Sequence, residues 1–505
     1  MRIQNPTQEK LKELNTNLRN HINQTHNLVE TLYLDLGFKV VRILNYAEEF
    51  TPLIEKQLTY IIKRDSKTYD ETIVLWKESD INNLYKIIDP SLDPKTNFQA
   101  RINMIYAHRK YDDLWVFDDN YSQINPLMSV DIYARIVNSY DAENKTYFYG
   151  VENLEPEEFI KQGHIFVHMF NKITKTENSN LVHGACVGID NKGVLFCARG
   201  QRGKSTLTVL SMMKGFEYVS DDYLTIENKD DKLVASPIYS IITLSPRMYN
   251  ELYDELEGCR FVSNNARKDK YVINIAKFHN QFKKDYPIEF CMFPEIVSDK
   301  EPSIRECDKT EKGRAIVQLI QSTVFQMQDI CNHDVIHKLF NMVKDFKFYK
   351  INLCNDISKN TEFLRDFIKK YKPQPKEIET SLERILIDIT FDIANVLDTE
   401  TGTIYTMNKF ATNIFENLLK GVSKENILNK LQANKNTAEI KPYFDILIHQ
   451  FEKIGLMKNY KNSNIEANIN FEIAEEDNYK LSIIEYTTKE CVELIKENEN
   501  ELCIK

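Results

Sequence analysis

The stretch Cys197–Thr206, CARGQRGKST, closes on the Gly-Lys-Ser triplet of a phosphate-binding loop. Such a loop works because successive backbone N–H groups and the positive end of the following helix face an anion, while a lysine adds a movable charge. The pattern G-x-x-x-x-G-K-[ST] is met at Gly203, Lys204 and Ser205 and departs at Ala198, which stands at the first glycine. One methyl there matters only if the position needs a positive φ. Arg199, Gly200, Gln201, Arg202, Gly203, Lys204, Ser205 and Thr206 are therefore the candidate phosphate-binding residues, against the plain alternative of a basic surface turn. His183 lies 21 residues before Lys204, and Asp221 and Asp222 lie 17 and 18 after it. Alone, paired aspartates read as a solvated turn and a histidine as a packed or capping residue. Around a phosphate loop they offer a base, a hard-cation ligand and a charge partner.

The surrounding chain has the order such a loop requires. LVHGACVGI and GVLFCA read as strands, STLTVLSMMKG as a helix ending at Gly215, and EYVSDDYLTI as strands around the aspartates. In this frame residues 182–226 resemble the catalytic core of the HPr kinase family, with its histidine-glycine strand, phosphate loop and paired aspartates. The resemblance implies an α/β (α+β) kinase domain of HPr kinase/carboxykinase-like P-loop fold, reaching from about 40 to 370. It also implies ATP or another nucleoside triphosphate with Mg2+. Lys204 would then contact phosphate, Ser205 and Asp222 hold magnesium, Asp221 act as base, and His183 lie near the transferring group. The two aspartates are adjacent and coupled, so their roles can exchange.

Departures narrow the expectation. Thr206 stands where HPr kinases carry an acidic residue, and SPIYSIITLSPRMYNEL replaces the glycine- and arginine-rich signature after the aspartates, which points to a substrate other than HPr. Lys268 and Lys270 offer another phosphate contact or, more plainly, a surface charge cluster. The pairs His164/His168 and His333/His337 have i, i+4 spacing but no evident third ligand, so they read as structural.

Further along, YTMNKFATNIFENLLKG resembles the PqqD family, the RiPP recognition element, through Met407, Asn408, Ala411, Phe415 and Gly421. That resemblance implies a small winged-helix-like domain over 381–457 that holds the leader of a ribosomally synthesised precursor peptide as an added strand. TGTIYTM would be the edge strand, with Thr403, Ile404, Tyr405 and Thr406 supplying backbone bonds and Tyr443, Ile446 and Phe451 lining the groove. A DNA-binding winged helix is the alternative, weakened by few basic residues on IKPYFDILIHQF.

At 505 residues the chain exceeds the roughly 250–300 residues that one core supports. The expected division is an N-terminal helical segment (1–36), a kinase domain (37–370, core 180–300), a linker (371–380), the peptide-binding domain (381–457) and a polar extension (458–505). Nine scattered cysteines without a C-x-x-C pair, and an N-terminus without a secretory pattern, predict free thiols and a cytoplasmic protein. The net charge of −10 argues against a nucleic-acid partner, and no apolar run approaches membrane-span length. Self-association is left open by the sequence. The reading is a Mg-ATP-dependent kinase acting on a Ser or Thr hydroxyl of the precursor peptide. Its alternatives are a peptide-binding scaffold with a regulatory nucleotide site, or an acyl-activating ligase.

Overall fold

The computed structural model describes residues 8–79, 114–117, 128–131, 136–152, 164–198, 202–230, 232–265, 270–299, 301–327, 333–372, 384–390, 393–434, 440–457 and 483–485. They form mixed α/β sheets in two compact units. The first comprises residues 1–307, 322–329 and 345–377, and the second residues 308–321, 330–344 and 378–505.

The first unit opens with α1 (Gln8–Thr25), β1 (Glu30–Asp35), β2 (Val40–Asn45), α2 (Thr51–Leu58), β3 (Ile62–Lys63) and β4 (Glu71–Glu78). Four more strands follow, β5 (Leu114–Phe117), β6 (Met128–Asp131), β7 (Ile136–Asp141) and β8 (Thr146–Glu152). They make an eight-stranded sheet in the order β3-β1-β2-β4-β8-β7-β6-β5. The helix of the expected N-terminal helical segment (1–36) thus stops at Thr25. Residues 30–35 pair with β2 as a strand because Leu32 and Leu34 alternate into the core, a period of two rather than 3.6.

After α3 (Val167–Thr174) come β9 (Ser179–His183), β10 (Ala185–Ile189), β11 (Lys192–Phe196), α4 (Lys204–Met213), β12 (Glu217–Ser220), β13 (Tyr223–Lys229) and β14 (Lys232–Pro237). A three-stranded excursion, β15 (Ile241–Leu244), β16 (Arg260–Asn265) and β17 (Lys270–Asn274), precedes β18 (Tyr286–Ile296) and β19 (Ser303–Glu306). Its intervening helices are α5 (Pro246–Glu251) and α6 (Tyr253–Leu256); beyond β19 run α7 (Lys309–Gln326), α8 (His333–Val343), β20 (Phe348–Leu353) and α9 (Ile357–Lys370). The nine-stranded sheet reads β12-β10-β11-β18-β14-β13-β9, with β20 and β19 joined beside β18. β11, β18 and β20 run parallel, and β11 together with Phe290–Pro294 of β18 is buried and almost wholly apolar, as strands covered on both faces are. Val194, Phe196, Leu207, Leu210, Phe290, Met292 and Ile351 form the core beneath α4.

The second unit contains β21 (Ile385–Thr390), β22 (Ile393–Asp398), β23 (Thr403–Met407), α10 (Lys409–Leu419), α11 (Lys424–Asn434), α12 (Ile440–Lys453) and β24 (Ile483–Glu485), its sheet in the order β21-β22-β23-β24. Asn408 caps α10 by accepting from the Ala411 N–H at 2.9 Å, and Gly421 ends it at φ +83°. Two residues of the C-terminal motif are thereby explained as helix delimiters. The first turns of α7 belong to this unit too: Arg314 Nε and Gln318 Nε2 each donate to Asp388 Oδ1 at 2.9 Å, and Gln321 bonds Asn395.

Candidate active site

β11 ends at Phe196, and the Cys197 N–H still pairs with Met292 O at 2.9 Å, so the loop leaves the sheet beside β18. Arg199, Gly200 and Gln201 lie outside the described residues. The chain re-enters at Arg202, whose guanidinium is 3.9 Å from Glu295, and Gly203 opens α4 at φ +88°. A Cβ at Gly203 would sit 2.7 Å from Leu353 Cδ1, so both backbone angle and space require glycine. No side chain caps α4. The N-cap is a glycine with no side chain to offer the first turn of α4, whose N–H groups can face an anion.

Topology then gathers the polar residues. β10 runs antiparallel to both β11 and β12, so its start meets their ends, and Tyr223 of β13 pairs with His183 of β9. The Gly184 N–H donates to Asp222 O at 3.1 Å and the Tyr223 N–H to Asp221 O at 2.8 Å, which fixes the turn carrying both carboxylates. Asp222 holds φ +64°, an uncommon conformation for a residue other than glycine. Lys204 and His183 are buried, with Nζ and Nε2 3.2 Å apart. The His183 N–H is held by Thr323 Oγ1 at 2.9 Å.

The two carboxylates differ in ionisation. Burial, then the like charge of Asp222, push Asp221 up to about 7, with Lys204, Ser205 and Lys270 offsetting only part. Burial also opposes charge on Asp222, but His183, Lys204, His164 and Lys270 outweigh it and hold that carboxyl below the usual range. Desolvation lowers the Lys204 ammonium, with Asp222 and Asp221 opposing. Asp221 is fully buried, and among the described residues neither carboxylate oxygen has a hydrogen bond of good geometry. The Asp222 carboxylate, kept ionised, and the Ser205 hydroxyl beside Asp221 are hard oxygen donors, so Mg2+ fits the donor set.

Of the sequence-derived residues, His183, Lys204, Ser205, Asp221 and Asp222 come together, while Arg202, Gly203 and half-buried Thr206 flank them on the loop and α4. Lys270, set against a surface role, acts on both aspartates; Lys268 lies outside the described residues. His164 was missed. It precedes α3, is separated from His168 by Phe166 at φ +59°, and stacks edge-on against Tyr223 and Tyr239, so the i, i+4 pair does not share a helix. No spacing in the chain signals this, because the fold alone brings residue 164 to β13. His333 and His337 stand on α8, where His333 Nδ1 is 2.7 Å from Thr401 O and the His337 ring packs on Gly402.

In the second unit, Thr403, Ile404, Tyr405 and Thr406 are buried on β23. The expected edge strand has a neighbour on each side: β22 along its length, and β24 through Tyr405–Glu485, Thr406–Ile484 and Met407–Ile483. The chain's own residues 483–485 therefore occupy the edge that the sequence leaves open. Ile446 is exposed on α12, Phe451 belongs to the core, and the side chain of Tyr443 is outside the description.

No family model matches the chain. Dynamin-like protein 1 of Campylobacter jejuni subsp. jejuni serotype O:23/36 (strain 81-176) is 25% identical over 198 residues, 39% of this chain and 26% of that protein. The chain thus spans about a quarter of the length of the curated relative it matches. Among solved structures, the Hpr(Ser) kinase/phosphatase from Coxiella burnetii aligns at 14% identity and a TM-score of 0.22, covering 38% of this chain and 94% of that one. Among the described residues no helix is long and apolar enough to cross a membrane.

Proposed function

We propose that the chain is a Mg-ATP-dependent kinase that phosphorylates a Ser or Thr hydroxyl of a ribosomally synthesised precursor peptide, with the leader held by the second unit. Asp221 carries the reading. A buried carboxyl raised to about 7 beside a lysine at the head of α4 is matched to taking a hydroxyl proton at neutral pH. In the proposed step Asp221 accepts that proton and the substrate oxygen bonds to the γ-phosphorus. The bond to the bridging oxygen breaks, and its electron pair leaves with the nucleoside diphosphate. Lys204 and the first-turn N–H groups of α4 hold the phosphates, and His183 shares a proton with Lys204. Ser205 and Asp222 would hold Mg2+, which when bound neutralises phosphate charge. Thr206 offers no carboxylate, so the reverse reaction with phosphate is not expected.

The leader would pair with β23 at Thr403–Thr406 in place of the short β24. Tethering then raises the hydroxyl's local concentration toward about the millimolar range. The test is to incubate the full chain, Mg-ATP and the precursor peptide encoded nearby, and weigh the peptide. A gain of one phosphate, abolished by Asp221→Asn or Lys204→Ala, supports the kinase; unchanged peptide mass despite leader binding and bound nucleotide sinks it. AMP release instead of ADP would mark acyl activation. Equal rates on peptides with and without the leader would refute leader docking alone.

A further inference from the structure

We infer that His21, His26 and Glu78 form a binding site for a late first-row divalent cation, zinc being the probe of choice, that staples the end of α1 to the eight-stranded sheet. Among the described residues this is a group whose donor atoms, two imidazole nitrogens and a carboxylate oxygen, lie within 4.8 Å of one another. His21 occupies the last turns of α1; His26 follows it, its N–H still bonded to Ile22 O at 2.9 Å. Glu78 ends β4, between β2 and β8.

The site is built rather than incidental. The side chains of His21 and Glu78 are 11% and 6% exposed, and His21 Nε2 is 2.8 Å from Glu78 Oε2. The Ser79 N–H donates to Glu78 Oε1 at 2.9 Å, and Trp76 Nε1 lies 3.4 Å from Oε2, so the carboxylate is held from behind. Outer partners of this kind orient a ligand. His26 Nε2 is buried and has no hydrogen-bond partner among the described residues, an orphaned nitrogen that a cation would satisfy. Zn–N and Zn–O bonds of about 2.0–2.2 Å place tetrahedral ligands roughly 3.3–3.5 Å apart, within reach of a small imidazole rotation. Two imidazoles and one carboxylate select zinc and its neighbours over Mg2+ or Ca2+, which prefer all-oxygen sets. The fourth position falls to water. The cation would reinforce polar ties from α1 to β7, where Asn15 meets Ser139 and Tyr140, and Arg19 meets Asp141 at 2.7 Å. None of these residues belongs to the kinase cluster, so the two readings stand or fall separately.

The full chain, stripped with a chelator and desalted, is titrated with Zn2+ and then with Co2+. One tightly held zinc per chain is expected. His26→Asn should weaken binding by at least the roughly 10–100-fold that loss of an outer partner costs while the metal-free melting temperature stays near that of the parent. Glu78→Gln should weaken binding likewise, with a lower metal-free melting temperature because the ionised carboxylate is held by His21, Ser79 and Trp76. Bound Co2+ in the unaltered chain should give visible ligand-field bands without a thiolate charge-transfer band. No stoichiometric zinc at micromolar free metal, undiminished binding in His26→Asn, or a thiolate band each overturns the site. If a variant fails to fold, zinc-dependent protection of His21 and His26 from diethyl pyrocarbonate in the unaltered chain, mapped by mass spectrometry, decides the matter, and histidines modified equally with and without zinc overturn the site.

Discussion

Asp221 and Asp222 are consecutive, yet burial and like charge raise one while surrounding cations lower the other. On the proposed function, adjacent carboxyls pushed apart in this way would divide into a base and a cation ligand. The basic form of Asp221 is populated above about 7, so kcat/KM for the peptide should rise through that pH and level off above it. A profile flat from about pH 5.5 to 8.5 removes Asp221 as base. Stability should move the opposite way. The folded value lies above the unfolded carboxylate's value of about 3.9, so the folded state holds the proton more tightly. This contribution is present at acid pH and lost as pH climbs through about 7. Asp221→Asn should therefore gain about 1–3 kcal/mol on the ligand-free parent at pH 8, relative to its effect at pH 5, in denaturant melts. An identical difference at both pH values contradicts the shift.

At the scale of elements, the loop-to-α4 junction turns on Gly203. Alanine there meets both φ +88° and Leu353 Cδ1 at 2.7 Å, so Gly203→Ala should cost about 1–3 kcal/mol in thermal or urea unfolding, and unchanged stability would show that the junction relaxes. That glycine was legible in the sequence, as were the strand, helix and strand around it, because each is a local pattern of period, cap and turn. Asn408 and Gly421 were legible for the same reason. β24 was not: three residues, Ile483–Glu485, reach β23 across some eighty positions, and no local period encodes a pairing at that distance. Ile484→Pro removes the N–H that such a pairing uses and should free the β23 edge. A labelled leader peptide should then bind about tenfold more tightly by fluorescence anisotropy. Affinity unchanged by this substitution would place the leader elsewhere.

For the whole molecule, sequence periodicity reveals which face of an element is apolar but not what that face will meet. His164 and Lys270 join the aspartates through topology, and residues 308–321 and 330–344 group with the C-terminal unit although the chain presents them far upstream of it. The chemistry of that grouping is specific. Asp388 is fully buried on β21, and Arg314, Gln318 and Thr390 supply its hydrogen bonds at 2.9, 2.9 and 3.0 Å. A buried carboxylate stripped of its cation is strongly destabilising. Residues 378–505 expressed alone lack Arg314 and Gln318, and they also expose Leu386 where Gly313 lies against it. Such a fragment should give a poorly dispersed amide spectrum and non-cooperative melting, whereas the second unit in the full chain should melt cooperatively. Arg314→Ala in the full chain should cost about 2–3 kcal/mol, less than a fully buried pair because Arg314 is partly exposed. A well-dispersed spectrum from the isolated fragment would show that Asp388 finds other partners and that the second unit is continuous in sequence after all.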